Sequence, residues 1–277
     1  MAHQWEYVQP KGANLVDLQL ANKVCVVMGA SAGLGRATAM ELAREGSLVM
    51  ISGRKHDALQ ATAEEIRRQT GATVATSVAD AAKAEDIIRL MAVARERFGQ
   101  IDCVVSNAGG PPAGRFDALD DETWLTAINL ILMRAVRSVR AALPHLRAQG
   151  GGSITFIESQ SVKHAIDGLL LSNSIRLAVC GLTKTLAHEL GPENIRVNVM
   201  CPGSTDTARI RQLAVLNAAR NQTTIEAELK LQGSTIPLRR IARAEEFGRV
   251  CAFIASPAAS YVTGAAIMVD GGVSRSI

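Results

Sequence analysis

Tyrosine is almost missing from this chain: 277 residues hold two, Tyr7 and Tyr261. Dense basic tracts are missing too, and a net charge of +4 suits anionic small molecules rather than a nucleic-acid surface. No apolar run reaches membrane-spanning length, which excludes a helical anchor within this sequence. The five cysteines (Cys25, Cys103, Cys180, Cys201, Cys251) are odd in number, widely spaced and set in apolar runs without a C-x-x-C pair. That argues against a disulfide framework or a zinc site and for buried thiols of a reducing compartment. No His/Asp/Glu cluster has ligand spacing, so no metal is expected. The N-terminal MAHQWEYVQPKGAN lacks the apolar h-region of a secretory signal, so a cytoplasmic protein is expected.

What is present is an ordinary globular composition, 48% hydrophobic and 20% charged, on a chain long enough to bury a core on both faces of a sheet. Short apolar runs alternate with longer amphipathic ones. Strands are expected at 24–28, 48–51, 73–78, 102–106, 153–157 and 196–200. Helices are expected at 33–45, 55–70, 81–98, 123–148 and 173–190, several closed by a glycine such as Gly71 or Gly99. This rhythm predicts an α/β fold: one doubly wound, Rossmann-type parallel sheet with helices on both faces. Near-continuous apolar strands fit a sheet covered on both sides. A leader over 1–17 precedes a single domain over 18–277. The polar, helix-favouring segment 209–231 starts where a strand delivers the chain to the ligand-binding edge of such sheets, and is a candidate substrate lid.

The segment Gly29-Ala30-Ser31-Ala32-Gly33-Leu34-Gly35 lies between a strand and a helix. Glycines there tighten the turn and let a pyrophosphate approach the backbone, while the helix N-terminus attracts the anion. Further along come Asp80 after the third strand, Ser106-Asn107-Ala108-Gly109 after the fourth, and Asn129 in the long helix. Pro202-Gly203 with Thr207 follows the sixth. With GLTKTLAHELGPENIRVNVMCPG from Gly181 to Gly203, this ordered set resembles the short-chain dehydrogenase/reductase family, and the 3-oxoacyl-carrier-protein reductases in particular. The resemblance covers about residues 18 to 272.

It implies that Gly29, Ser31, Ala32, Gly33, Leu34 and Gly35 cradle a nicotinamide dinucleotide. Asp80 would meet the adenine, Asn107, Ala108 and Gly109 would flank the cofactor, and Pro202, Gly203 and Thr207 would embrace its nicotinamide end. Where NAD enzymes place an acid after the second strand, this chain has Gly53 followed by Arg54. A guanidinium clamps a 2′-phosphate and no carboxylate repels it, so NADP(H) is expected before NAD. Met28 stands where the family usually has Thr, Ser106 where it has Asn, and Ala32 where NADP enzymes often have a basic residue.

The chemical half departs more. GSITFIES from Gly152 aligns Ser159 with the family's carbonyl-polarising Ser. Thirteen residues on, the gapless alignment puts Ser172 on the catalytic Tyr position and Arg176 on the Lys position. Neither Tyr7 nor Tyr261 can substitute. Arg176 can keep a positive charge and hold the nicotinamide ribose, but a guanidinium does not release its proton. Ser172 alone is too weak an acid, and general acid catalysis typically supplies about 10²–10⁴-fold.

Lys163, with His164 beside it, is therefore a candidate donor in the loop after the strand, or an anchor for an acidic substrate; equally, both are solvated loop residues. Glu158 is expected to point away from Ser159, as strand neighbours do. Asn129 is expected to hold a relay water, and His145 and His188 to be structural. The expectation is an NADP(H)-dependent oxidoreductase acting on a small-molecule carbonyl or secondary alcohol, with an atypical proton donor. Non-redox chemistry on the same scaffold, or a silent nucleotide-binding subunit, stays open. Family likeness further implies a homotetramer or homodimer, to which Val179, Cys180 and Leu182 could contribute.

Overall fold

A computed structural model of the protein describes residues 16–275; residues 1–15 of the expected leader, Tyr7 among them, lie outside the described residues. Among the described residues seven parallel strands form one sheet in the order β3-β2-β1-β4-β5-β6-β7. In chain order they are β1 (Val24–Val27), β2 (Leu48–Gly53), β3 (Val74–Val78), β4 (Cys103–Ser106), β5 (Gly152–Ile157), β6 (Ile195–Pro202) and β7 (Ala266–Val269). The chain runs outward from β1 to β3, then returns past β1 to build β4 to β7. The crevice between the C-terminal ends of β1 and β4 is thus the switch point where such sheets bind ligands.

Alternation along each strand sends side chains into two cores. Val26, Val104, Phe156 and Val199 pack under α3 (Ala84–Phe98), α5 (Arg134–Ala148) and α6 (Leu170–Leu190). Val27, Val49, Val105 and Met200 pack under α1 (Gly33–Arg44), α2 (His56–Thr70) and α9 (Ala244–Ala255). The expected glycine stops appear where a left-handed residue lets the backbone turn away: Gly71 at φ 71° and Gly99 at φ 82°.

Two expectations change. The long helix 123–148 is not uniform: α4 (Asp121–Ile128) passes through a π-turn, Asn129–Met133, before α5 resumes. The segment 209–231 is a helical pair, α7 (Ala208–Asn221) and α8 (Ile225–Thr235), and it extends beyond the expected end. α9 and β7 were not anticipated as elements. Val179 is fully buried in the subunit's own core, so it cannot serve an intersubunit contact. Four of the five cysteines are buried and Cys180 is half-buried, and all five are free thiols. Among the described residues no helix is long and apolar enough to cross a membrane.

Candidate active site

The glycine turn sits at the C-terminal end of β1 under strong steric constraint. Gly29 has φ +59°, and a Cβ on it would lie 2.8 Å from the Asn107 carbonyl oxygen. A Cβ on Gly35 would lie 2.4 Å from the Gly29 oxygen, so the first turn of α1 presses directly on the strand exit. Asn107 Nδ2 donates to the Gly29 carbonyl at 3.0 Å, tying the β4 exit to the β1 exit. Ala32 caps α1 without a side-chain hydrogen bond, leaving the first helical N–H groups for an anion. Thr207 covers Gly33 from the far side, its Cγ2 lying 3.4 Å from where a Cβ would be.

Gly29, Ala32, Gly33, Leu34, Asn107, Ala108 and Gly109 form one wall of a cavity of about 870 Å³. Pro202, Gly203, Thr207, Ser159, Ser172 and Arg176 line the same cavity, so most of the expected site residues meet there. Ser31, Arg54 and Asp80 lie on the same edge of the sheet but outside that lining. Ser31 Oγ comes within 3.0 Å of a Cβ placed on Gly53, and Arg54 is exposed at the end of β2. Asp80 accepts from the Ala82 N–H at 3.0 Å while its own N–H donates to Asp86 at 2.8 Å, a tight turn after β3.

Around Ser172 the structure shows a chain of polar contacts that no single residue announces. Ser159 ends β5 and its Oγ accepts from the Ser161 N–H at 3.1 Å. Ser161 Oγ and Ser172 Oγ are 3.2 Å apart, and Arg176 Nε donates to Ser172 Oγ at 3.0 Å, one turn along α6. Arg176 Nη1 then reaches Glu158 Oε2 at 2.7 Å, and Arg134 Nη2 reaches the other carboxylate oxygen at 2.5 Å. Arg134 Nη1 donates to both Ser106 O (2.6 Å) and Ser106 Oγ (2.7 Å). The side chains of Glu158 and Arg134 are 0% and 1% exposed, and that of Arg176 is 9% exposed. Burial pushes the Arg134 guanidinium pKa down, against the pull of Glu158.

Glu158 is therefore no bystander. It binds Arg134 of α5 and Arg176 of α6 and borders the cavity. Ser106, Arg134 in α5, Glu158 before Ser159 and Arg176 form one connected polar set. Arg134 matches no family motif and Glu158 was expected to point away from Ser159; the available signal was an acid at the buried end of an apolar strand, a position that demands a cation.

Asn129 is not brought to this cluster. Its Nδ2 donates to the Ala82 carbonyl at 3.2 Å and its Oδ1 accepts from Arg137 at 2.6 Å, so the amide is spent on the loop after β3. Lys163 is exposed and outside the cavity lining, and its charge acts instead on the Cys180 thiol, opposing the burial that pushes that thiol up to about 11. His164 turns toward the C-terminal segment, 3.4 Å from Ser274 Oγ. His145 has its pKa lowered by burial and by Arg95, and His188 is exposed on α6; neither lines the cavity.

The mouth is shaped by loops and by the helical pair. Gly114 N donates to Gly168 O at 2.8 Å, joining the loops after β4 and β5. Arg209, on the first turn of α7, donates to the Pro111 carbonyl at 2.9 Å across the opening. Ile210, Leu213 and Leu216 of α7 line the cavity with apolar surface.

A family model described as enoyl-(acyl carrier protein) reductase matches residues 29–274. A curated relative, dehydrogenase/reductase SDR family member 4 of Sus scrofa, is 33% identical over 92% of this chain and 88% of its own length. The crystal structure of L-sorbose reductase from Gluconobacter frateurii, complexed with NADPH and L-sorbose, superposes with a TM-score of 0.89 at 30% identity. It covers 94% of this chain and 100% of that one. YwfH, an NADPH-dependent reductase involved in bacilysin biosynthesis, superposes at 0.88 with 26% identity, over 93% and 100% of the two chains. The switch-point glycine turn, the sheet order and these matches together make this chain a member of the short-chain dehydrogenase/reductase family.

Proposed function

We propose that the protein is an NADP(H)-dependent oxidoreductase that interconverts a small carbonyl compound and its secondary alcohol without a tyrosine donor. The observation that carries this reading is the convergence of Ser159, Ser172 and Arg176 on the cavity that also contains the glycine turn. NADPH is named with similar structures, which supports the same cofactor here. The exposed Arg54 after Gly53, with no carboxylate beside it, suits a 2′-phosphate. The residues fit a nicotinamide group too: Gln160 Oε1 is buried without a hydrogen-bond partner among the described residues, 3.0 Å from a Cβ on Gly203, where a carboxamide N–H would satisfy it.

A nicotinamide cofactor held there would supply or accept hydride at the substrate carbon. Ser159 and Ser172 hold the carbonyl oxygen. Because Arg176 Nε already occupies one acceptor site of Ser172 Oγ, the Ser172 proton is free to point at Ser161 or into the cavity. Arg176 stabilises the developing alkoxide as a fixed cation and does not give up its proton. The alkoxide takes its proton from water, with the Ser172 hydroxyl as the hand-over point. Lys163 and the Asn129 amide have no part in this scheme. The α7–α8 pair closes over the substrate as a lid.

Fluorescence titration with NADPH and NADH tests the cofactor assignment: NADPH binds tighter, and an absence of binding to either overturns the reading. Consumption of NADPH with a ketone panel then tests redox turnover. A second reading, non-redox chemistry with the nucleotide as structural ligand, is favoured by one observation. The cavity lining contains no Tyr, Lys, His or Cys among the described residues. NADPH binding without oxidation by any carbonyl of the panel would select it.

A further inference from the structure

Four guanidiniums, Arg115, Arg176, Arg209 and Arg220, line the cavity beside two carboxylates, so the lining carries a net positive charge. In the buried cluster two guanidiniums, Arg134 and Arg176, share the single carboxylate of Glu158, which leaves one positive charge unmatched. Arg176 Nη2 makes no hydrogen bond among the described residues, and the side chain borders the cavity. Arg209 adds a second uncompensated cation. Its Nη2 is used by the Pro111 carbonyl, and no carboxylate pairs with it among the described residues. Burial lowers the Arg209 pKa first, and the charge of Arg176 lowers it further, so the two guanidiniums are near enough to repel each other.

Among the described residues the only carboxylates in the lining are Glu158, already spent, and the exposed Asp167. Beyond Arg209 the same helix presents Ile210, Leu213 and Leu216 to the cavity. Partly buried cations beside an apolar wall are the complement of an anion with an apolar body, since a buried charge is stable only when paired. The cofactor's pyrophosphate has its own receptor in the unspent N–H groups of α1, on the wall formed by Gly29 to Leu34.

We propose that the substrate is an oxo acid, or the corresponding hydroxy acid, whose carboxylate is received by Arg209 while its carbonyl oxygen meets Ser159 and Ser172. The assignment rests on the oxidoreductase reading for the carbonyl end and is independent of it for the anion. Arg209 sets specificity, and Arg176 keeps its place at the reacting oxygen. The strap from Arg209 to Pro111 holds the guanidinium over the opening when no carboxylate is present.

The test uses protein saturated with NADPH, so that the cofactor's own anions are already seated. 3-Phenylpropionate and the matching amide, 3-phenylpropionamide, are titrated in parallel by quenching of the bound nicotinamide fluorescence. The carboxylate is expected to bind about tenfold or more tighter than the amide, the range of one charge-assisted hydrogen-bonded pair. Arg209→Leu should bring the two probes to within about twofold of each other with an unchanged NADPH Kd, and Arg209→Lys should retain part of the preference. Equal affinities in the parent protein overturn the proposal. So does an Arg209→Leu variant that weakens NADPH and leaves the probe ratio intact, because Arg209 then serves the cofactor. If Arg209→Leu fails to fold, the parent ratio and Arg209→Lys decide. The titration needs no turnover, so the failure of every ketone to be reduced leaves this result readable.

Discussion

Replacing Glu158 with Gln is the sharpest perturbation of the buried ladder, because it keeps the shape and removes the one charge that holds two others. Arg134 and Arg176 would face each other across a neutral amide. One amide oxygen could still accept from a single guanidinium, while the amide N–H₂ would confront the other donor. Removing one partner of a buried pair costs about 3–5 kcal/mol, chiefly because the remaining charge is stranded. With the side chains of Glu158 and Arg134 0% and 1% exposed, little solvent screening softens that cost. At about 2–4 °C per kcal/mol for a domain of this size, the melting temperature should fall by roughly 6–20 °C.

The assay is thermal unfolding of parent, Glu158→Gln, Arg134→Met and the double variant. The double variant removes one cation together with the anion, leaving Arg176 at the cavity wall with 9% of its side chain exposed. It should recover part of the loss, giving a favourable coupling of about 1–3 kcal/mol between the two sites. A fall of less than about 2 °C for Glu158→Gln, together with additive single effects, would refute the claim that the carboxylate anchors both guanidiniums.

Further outcomes follow from the same site. Since the cavity lining offers no Tyr, Lys, His or Cys among the described residues, kcat for carbonyl reduction should vary less than about threefold over roughly pH 6–9, as measured under saturating cofactor. A bell with a steep limb in that window would reveal a titrating donor. Lys163→Ala should leave kcat with the true substrate within about twofold, because that exposed side chain stands outside the cavity; a loss of about a hundredfold would restore it as the proton source. Burial raises the thiols of Cys201 and Cys251 to about 12 and that of Cys180 to about 11. Native protein at mildly alkaline pH should therefore react with a thiol reagent slowly and first at half-buried Cys180, and the buried thiols should respond only once denaturant is added.

Most of the scaffold was legible because its signals are local. Gly71 and Gly99 stop helices wherever they are placed in the fold, and an apolar run such as Val24–Val27 marks a covered strand without reference to its neighbours. That Ser159, Ser172 and Arg176 would meet at one cavity was expected from family spacing alone, and all three line it. The partners of Arg176 were not, since Arg134 lies forty-two residues upstream and meets it only through Glu158. Asn129 and Lys163 show the opposite error. Motif position gave each a chemical role, while local competition from Arg137, Ala82 and solvent decided where the side chains went.

The π-turn at Asn129–Met133 has a consequence for how this chain tolerates length changes. Its closing bond runs from the Arg134 N–H to the Asn129 carbonyl, one residue wider than an α-helical turn. Every residue after it is thereby rotated by about 100° relative to an unbroken helix, at 3.6 residues per turn. That phase shift aims Arg134 at Glu158 and seats Ala135, Ser138 and Val139 against the sheet. Excising one residue from the turn would convert it to regular α-helix and swing the guanidinium out of register with its carboxylate. The helix works here like a gear advanced by one tooth: the ladder meshes only with the extra residue in place.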